Sequence, residues 1–226
     1  MHKKNYYIID FDSTFVRCEV LEEIAKISLH DNPDKKIILK EIVAICNLGM
    51  EGALPFEESL TRRLTLLHAN KEDLKKVRDV LKKNITPSIL IHKEFFKKNK
   101  EQIYVISGAF KECITPITKL FEISDSHVLA NTFVFDDRDN IIGIDLQNTL
   151  SHKFGKVKAV QALDLKGKLI VVGDGYTDYE IRKEELAHVF VAFTENVRRE
   201  SVISKADYVA ANFDEFLRLI STDLNR

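Results

Sequence analysis

Three apolar runs in this chain stop dead at small polar or acidic residues, and a helical pattern follows each of them. YYII (residues 6–9) ends in DFDST, QIYVI (102–106) in SGAF, and KLIVV (168–172) in GDGYTD. Short runs rich in β-branched and aromatic residues, with no polar alternation, read as strands buried on both faces. Strands of that kind alternating with helices imply a parallel sheet with helices on both faces, an α/β fold. The first run poses a question of cost. A strand that leads straight into Asp10 and Asp12 places two carboxylates at the edge of a core, where an uncompensated charge is expensive. In an open α/β sheet, sites form beyond the carboxyl ends of the strands, and all three of these turns lie there.

Between the first and second runs the chain changes character. Residues 17–84 hold four helical stretches and no convincing strand. The first is CEVLEEIAKISL. NPDKKIILKEIVAICNLG follows, with Asn32 as cap and Pro33 at the first helical position; PFEESLTRRLTLLHA has Pro55 in the same place. NKEDLKKVRDVLKKN opens with Asn70 and Asp73 at capping-box spacing. The expected organisation is a core domain from residues 1–16 and 86–226, with a helical bundle, 17–85, inserted after the first strand. Further on, the pattern predicts a helix over 87–99 and another after SGAF that Pro116 kinks or interrupts. HVLA, TFVF and IIGI read as short strands, the last two joined as a hairpin through DDRDN. A helix around 154–163, strand VFVAF, a helix near 196–204, strand YVA and a helix over 213–220 complete the chain.

The totals narrow the function. A length of 226 residues suits one α/β domain with a smaller insert, and 34 basic residues against 35 acidic ones leave no charge excess to draw nucleic acid or a membrane surface. Cys18, Cys46 and Cys113 are odd in number and lack metal-ligand spacing, which fits small core residues in a reducing, cytoplasmic setting. The apolar run in MHKKNYYIID is too short for a signal peptide, and no run approaches the roughly 18 apolar residues of a membrane span.

In an extended segment Asp10 and Asp12 project to one side while Phe11 turns into apolar packing. Convergence of the three turns brings them together with Ser107, Asp174 and Asp178, and the N–H groups of SGAF, read as opening a helix, can receive an anion. So many carboxylates need a cation. The donors are all hard oxygens with no His or Cys cluster beside them, which favours Mg²⁺. Lys156, in HKFGKVKAV, lies between the second and third turns. Mg²⁺, an anion-binding turn and a lysine together point to phosphate chemistry.

DFDST, SG and GDGYTD, with Lys156 between the last two, resemble the motifs of the haloacid dehalogenase superfamily of phosphatases. STFVRCEVLEEIAK, MEGALPFEESLTRRLTLL, ITP, VISGAF and GDGYTDYE extend the resemblance to its phosphoserine phosphatase group. That implies a Rossmann-like core with a helical cap that closes over substrate, and cytoplasmic hydrolysis of O-phosphoserine in serine biosynthesis. It implies Asp10 as nucleophile and Asp12 as general acid, then base. Asp10, the backbone carbonyl of Asp12 and Asp174 would bind Mg²⁺, with Asp178 supporting them. Ser107 and Lys156 would hold phosphate oxygens where Gly108 lets the backbone approach, with Thr177 beside them. Glu19 and Arg63 match the residues that hold the substrate's amino and carboxylate groups, and Met50 and Phe56 match the apolar lid. Departures from the family pattern are Ala109 for a second glycine, Glu22 for an aspartate, and Tyr176 for an alanine, where the ring narrows the cleft. The alternatives are a phosphatase for another small metabolite, a phosphotransferase, or a phospho-ligand binder, which would have to lack a catalytic carboxylate. Arg62 and Arg63 are about 100° apart on a helix, so only one can face the cleft. The stripe of Leu60, Leu64 and Leu67 selects Arg63.

Overall fold

The computed structural model describes residues 4–222. Six strands form one parallel sheet: β1 (Asn5–Ile9), β2 (Ile103–Phe110), β3 (Val128–Asn131), β6 (Lys168–Gly173), β7 (Val189–Phe193) and β8 (Tyr208–Ala210), in the order β3-β2-β1-β6-β7-β8. Strands β4 (Phe133–Phe135) and β5 (Ile141–Ile144) make the expected hairpin apart from it. The period-2 rule divides the core. Tyr7, Ile9, Ile170 and Val172 face one layer with Phe96, Phe213 and Phe216, while Ile8, Leu169 and Val171 face the other with Val157, Ile181 and Phe190.

The strand order fixes where a site can form. From β1 the chain steps through β2 to β3 on one side of the sheet, and from β6 through β7 to β8 on the other. The connections leaving β1 and β6 therefore diverge, and a crevice opens between their carboxyl ends. Asp10 and Asp174 stand at those two ends.

Four helices lie between β1 and β2: α1 (Val20–Ser28), α2 (Lys35–Met50), α3 (Phe56–Thr65) and α4 (Lys71–Lys83). The chain enters and leaves this layer through an antiparallel neck. Val16 bridges Ile85, Arg17 N–H donates to Asn84 O at 2.8 Å, and Thr86 N–H to Phe15 O at 3.0 Å. A second tie joins it to the β4–β5 hairpin, where Ile141 N–H donates to Ala69 O at 2.8 Å and Lys71 N–H to Asp139 O at 3.0 Å.

Several local expectations need correction. The helix expected over 87–99 is two, α5 (Pro87–Ile91) and α6 (Lys93–Lys98), broken at His92. SGAF does not open a helix: β2 runs on through Phe110, the Ala109 N–H is taken by Ser107 Oγ at 3.1 Å, and α7 (Lys111–Thr118) starts afterwards. Pro116 neither ends nor interrupts α7. A proline frees the carbonyl four residues back, here that of Glu112, which accepts instead from Arg78 Nε of α4 at 3.0 Å. Asn32 and Pro33 precede α2 rather than open it, because Asn32 Oδ1 already accepts the Asp34 N–H at 2.8 Å in a turn. Pro55 is the residue before α3, not its first.

The remaining helices are α8 (Gly155–Ala162), α9 (Tyr176–Lys183), α10 (Glu200–Ile203) and α11 (Phe213–Thr222). The short α10 replaces a helix expected over 196–204. Asn196 Nδ2 is bonded to Thr86 Oγ1 at 2.7 Å and to the Ser13 carbonyl at 3.1 Å, which holds that segment out of helix.

Candidate active site

Strand pairing sets the first carboxylate. The Asp10 N–H donates to Val172 O of β6 at 2.9 Å, and its own Oδ1 accepts the Phe11 N–H at 2.7 Å. Phe11 is fully buried and stacks on Phe15, so the turn cannot swing. Lys156, on the first turn of α8, puts Nζ 2.8 Å from Asp10 Oδ1 and 2.7 Å from Asp178 Oδ1. Burial alone would drive the proton off this lysine, but Asp10 and Asp178 more than offset that and hold it charged.

Asp178, on the first turn of α9, accepts the Gly175 N–H through Oδ2 at 3.1 Å. Burial first and Asp10 second push its carboxyl up to about 7, against the pull of Lys156. Asp174 Oδ1 accepts from Thr14 Oγ1 at 3.1 Å. Its Oδ2 lies 3.1 Å from Arg199 Nη1, yet neither atom is in hydrogen-bonding geometry. Burial raises the Asp174 carboxyl well above the usual range, with Arg199 opposing it.

Oxygens of Asp10, Asp174 and Asp178 lie within 4.8 Å of one another, all buried. Buried around the crevice are five carboxylates (Asp10, Asp12, Glu19, Asp174, Asp178) and three cations (Arg63, Lys156, Arg199). Carboxylates thus outnumber cations in the crevice, and a bound cation would offset the excess. With oxygen donors alone, and a buried Asp174 oxygen lacking a hydrogen bond, the residues present fit Mg²⁺.

Asp12 stands apart from that cluster. Its Oδ1 accepts the Val20 N–H at the start of α1, at 3.2 Å. Burial, then Glu19, then Asp10 raise its carboxyl well above the ordinary value.

The helical layer supplies the opposite wall. Arg63 is buried at 4% exposure, with Nε donating to Ser59 O at 3.2 Å. Its neighbour Arg62 is 56% exposed and pairs with Glu58. Glu19 Oε1 accepts from Ser13 Oγ at 2.6 Å. Phe56 covers Gly108 so closely that a Cβ there would come 2.4 Å from Cζ of the ring. Gly52, at φ +78°, rests on the Tyr176 ring of α9, where a Cβ would sit 2.7 Å from Cγ. Both approaches need glycine. One cavity is lined by Asp10, Asp12, Leu21, Met50, Phe56, Arg63, Ser107, Gly108, Ala109, Lys156 and Thr177. Every site residue singled out in the sequence therefore lines this cavity or, like Glu19, Asp174 and Asp178, packs against its walls.

Comparison with known proteins agrees with this fold. The family model of haloacid dehalogenase-like hydrolases matches residues 8–182, most of the chain. The chain belongs to this family. Its curated relatives within the haloacid dehalogenase-like hydrolases include phosphoserine phosphatases. The chloroplastic phosphoserine phosphatase of Arabidopsis thaliana is 31% identical over 79% of this chain, which spans 65% of that protein. The phosphoserine phosphatase of Homo sapiens is 28% identical over 92% of this chain and 89% of its own length. Among solved structures, a phosphoserine phosphohydrolase-like protein from Francisella tularensis superposes with a TM-score of 0.87 at 32% identity, covering 96% of this chain and all of the other. A substrate-bound phosphoserine phosphatase complex shares the fold, with a TM-score of 0.75 at 24% identity over 96% of this chain and 98% of the other.

In this hydrolase several neighbours of the site escaped sequence reasoning. Ser13, Thr14, Cys46 and Arg199 touch Glu19, Asp174 and Arg63. Ser13 and Thr14 lie in the DFDST turn after β1, and Arg199 follows β7 at the same end of the sheet, whereas Cys46, inside a helix, left no signal. No described helix is long and apolar enough to cross a membrane.

Proposed function

We propose that this hydrolase cleaves O-phospho-L-serine to serine and phosphate through an aspartyl-phosphate, with residues 17–85 acting as a cap on the neck at Val16 and Ile85. The observation that supports the substrate is Arg63. A buried guanidinium with no carboxylate within ion-pairing distance, among the described residues, faces the same cavity as Asp10 and Asp12. Burying an arginine without a direct ion-pair partner is costly, and a ligand carboxylate at that wall would supply one.

The chemistry follows from the two aspartates. Asp10 Oδ1 is held by the Phe11 N–H and Lys156, which leaves Oδ2 to attack phosphorus. A carboxylate is ionised at neutral pH, so it needs positioning rather than activation. Asp12, with its raised carboxyl, holds a proton to give to the serine Oγ as the P–O bond breaks. Once ionised it takes a proton from the water that attacks the acyl-phosphate, releasing phosphate and restoring Asp10. Lys156 and the Ser107 hydroxyl hold phosphate oxygens. Asp10, Asp174 and the Asp12 carbonyl, with Asp178 behind them, would hold Mg²⁺, which would offset the repulsion between nucleophile and phosphate dianion. Phe56 and Met50 exclude bulk water above Gly108 and Gly175.

A phosphate-release screen over small phosphomonoesters with Mg²⁺ tests this, run alongside Asp10→Asn, which cannot form the acyl-phosphate. Phosphoserine should lead the screen and the variant should be inactive, its mass verified against deamidation. Substantial turnover by Asp10→Asn would eliminate the covalent route, and serine appearing without free phosphate would mean transfer to an acceptor alcohol.

A further inference from the structure

Glu19 and Arg63 carry opposite charges in one buried wall, yet they form no ion pair with each other. Cys46, on α2, stands between them. Its thiol donates to Glu19 Oε2 at 3.3 Å, and its sulfur accepts from Arg63 Nη1 at 3.4 Å. Burial, then Glu19, push the Cys46 thiol far above its ordinary range, so it remains S–H and can donate. Ser13 Oγ holds the other Glu19 oxygen, and Ser59 O the Arg63 Nε. Among the described residues, every side-chain hydrogen bond that orients the two charges is thus with a neutral group.

On the reading that the substrate is an amino-acid phosphomonoester, this spacing has a consequence. A carboxylate and a guanidinium left free in a low-dielectric wall attract strongly and close on each other. A closed pair would have to be broken before an ammonium could reach Glu19 and a carboxylate could reach Arg63. We infer that Cys46 is a positioning residue that keeps Glu19 and Arg63 apart and aimed, and so sets the preference for substrates carrying both an ammonium and a carboxylate. A thiol suits that task because it is a weak donor and a weak acceptor. It orients both charges without competing with the incoming ligand.

The test compares Cys46→Ala, which removes the γ atom, with Cys46→Ser, which keeps a γ atom that can donate and accept, and with Cys46→Val, which fills the space without hydrogen bonding. Kinetics with phosphoserine are set against phenyl phosphate, which has neither recognition group. In Cys46→Ala the KM for phosphoserine should rise about ten-fold, the equivalent of one hydrogen bond to a charged group, with kcat within about two-fold. The preference for phosphoserine over phenyl phosphate should fall by the same factor, and Cys46→Ser should recover most of it. In an Arg63→Ala background, Cys46→Ala should cost less than it does in the wild type, because one of its two partners is gone and Glu19 has no guanidinium to close on. Equal losses in the Ala and Ser variants, or equal losses on both substrates, would make Cys46 a packing residue and overturn the inference. If Cys46→Ala does not fold, Cys46→Val carries the same comparison with Ser. A wild-type enzyme without preference for phosphoserine would defeat the substrate reading itself, and the inference with it, before any variant is made.

Discussion

Arg63→Ala removes the one guanidinium, among the described residues, that lines this cavity, and its cost can be worked out in advance. The guanidinium is 4% exposed and held by Ser59 O and Cys46 Sγ, so it is ordered before substrate arrives and little entropy is lost on binding. Truncating one partner of a desolvated, hydrogen-bonded charge pair costs about 2–5 kcal/mol. Coulomb's law gives about 4 kcal/mol for unit charges 4 Å apart at an effective dielectric of about 20, inside that range. At 1.4 kcal/mol per decade, kcat/KM for phosphoserine should fall roughly 30- to several-thousand-fold. Steady-state phosphate release on phosphoserine and on phenyl phosphate measures it. The loss should fall on phosphoserine far more than on phenyl phosphate, which makes no carboxylate contact. Arg63→Lys keeps the charge but not the two parallel hydrogen bonds, and should recover only part of the loss. Arg62→Ala is the control: its exposed pair with Glu58 is worth about 0.3–0.5 kcal/mol, near two-fold at most. Equal losses on both substrates would mean that Arg63 serves the phosphate or the fold, and no loss on phosphoserine would refute the amino-acid substrate.

Two further outcomes are expected. Chelation should silence the enzyme and Mg²⁺ restore it, while Ca²⁺, with its looser shell, supports it poorly. Independently of activity, Mg²⁺ at 100 times its Kd should add about 2.7 kcal/mol of stability, or about 5–10 °C in Tm for a chain of this size; an unchanged melt with full activity in EDTA would remove the metal. Arg78→Met keeps the aliphatic stem but strands the Glu112 carbonyl that Pro116 frees, so it should cost about 1–3 kcal/mol of stability, and calorimetry that finds none would show that water replaces the guanidinium.

The strands and their order along the chain were legible because burial of a parallel sheet leaves a local mark. YYII, QIYVI and KLIVV are runs whose composition alone commits them to strands, and DFDST, SGAF and GDGYTD mark where each turns toward solvent. Helical periodicity separated Arg63 from Arg62 for the same reason: angle on a helix is a local property. Helix ends were less legible, since Asn32, Pro55 and Asn196 could each satisfy more than one backbone arrangement. Cys46 between Glu19 and Arg63, Thr14 on Asp174, and Arg78 on the carbonyl freed by Pro116 join residues 27, 17, 160 and 34 positions apart. No sequence pattern encodes such contacts, because they arise only when the sheet places β1 beside β6 and the neck brings α1–α4 over its carboxyl ends. Local composition determines which groups are offered to the crevice. Packing between distant segments determines which of them meet, and how much charge they must share.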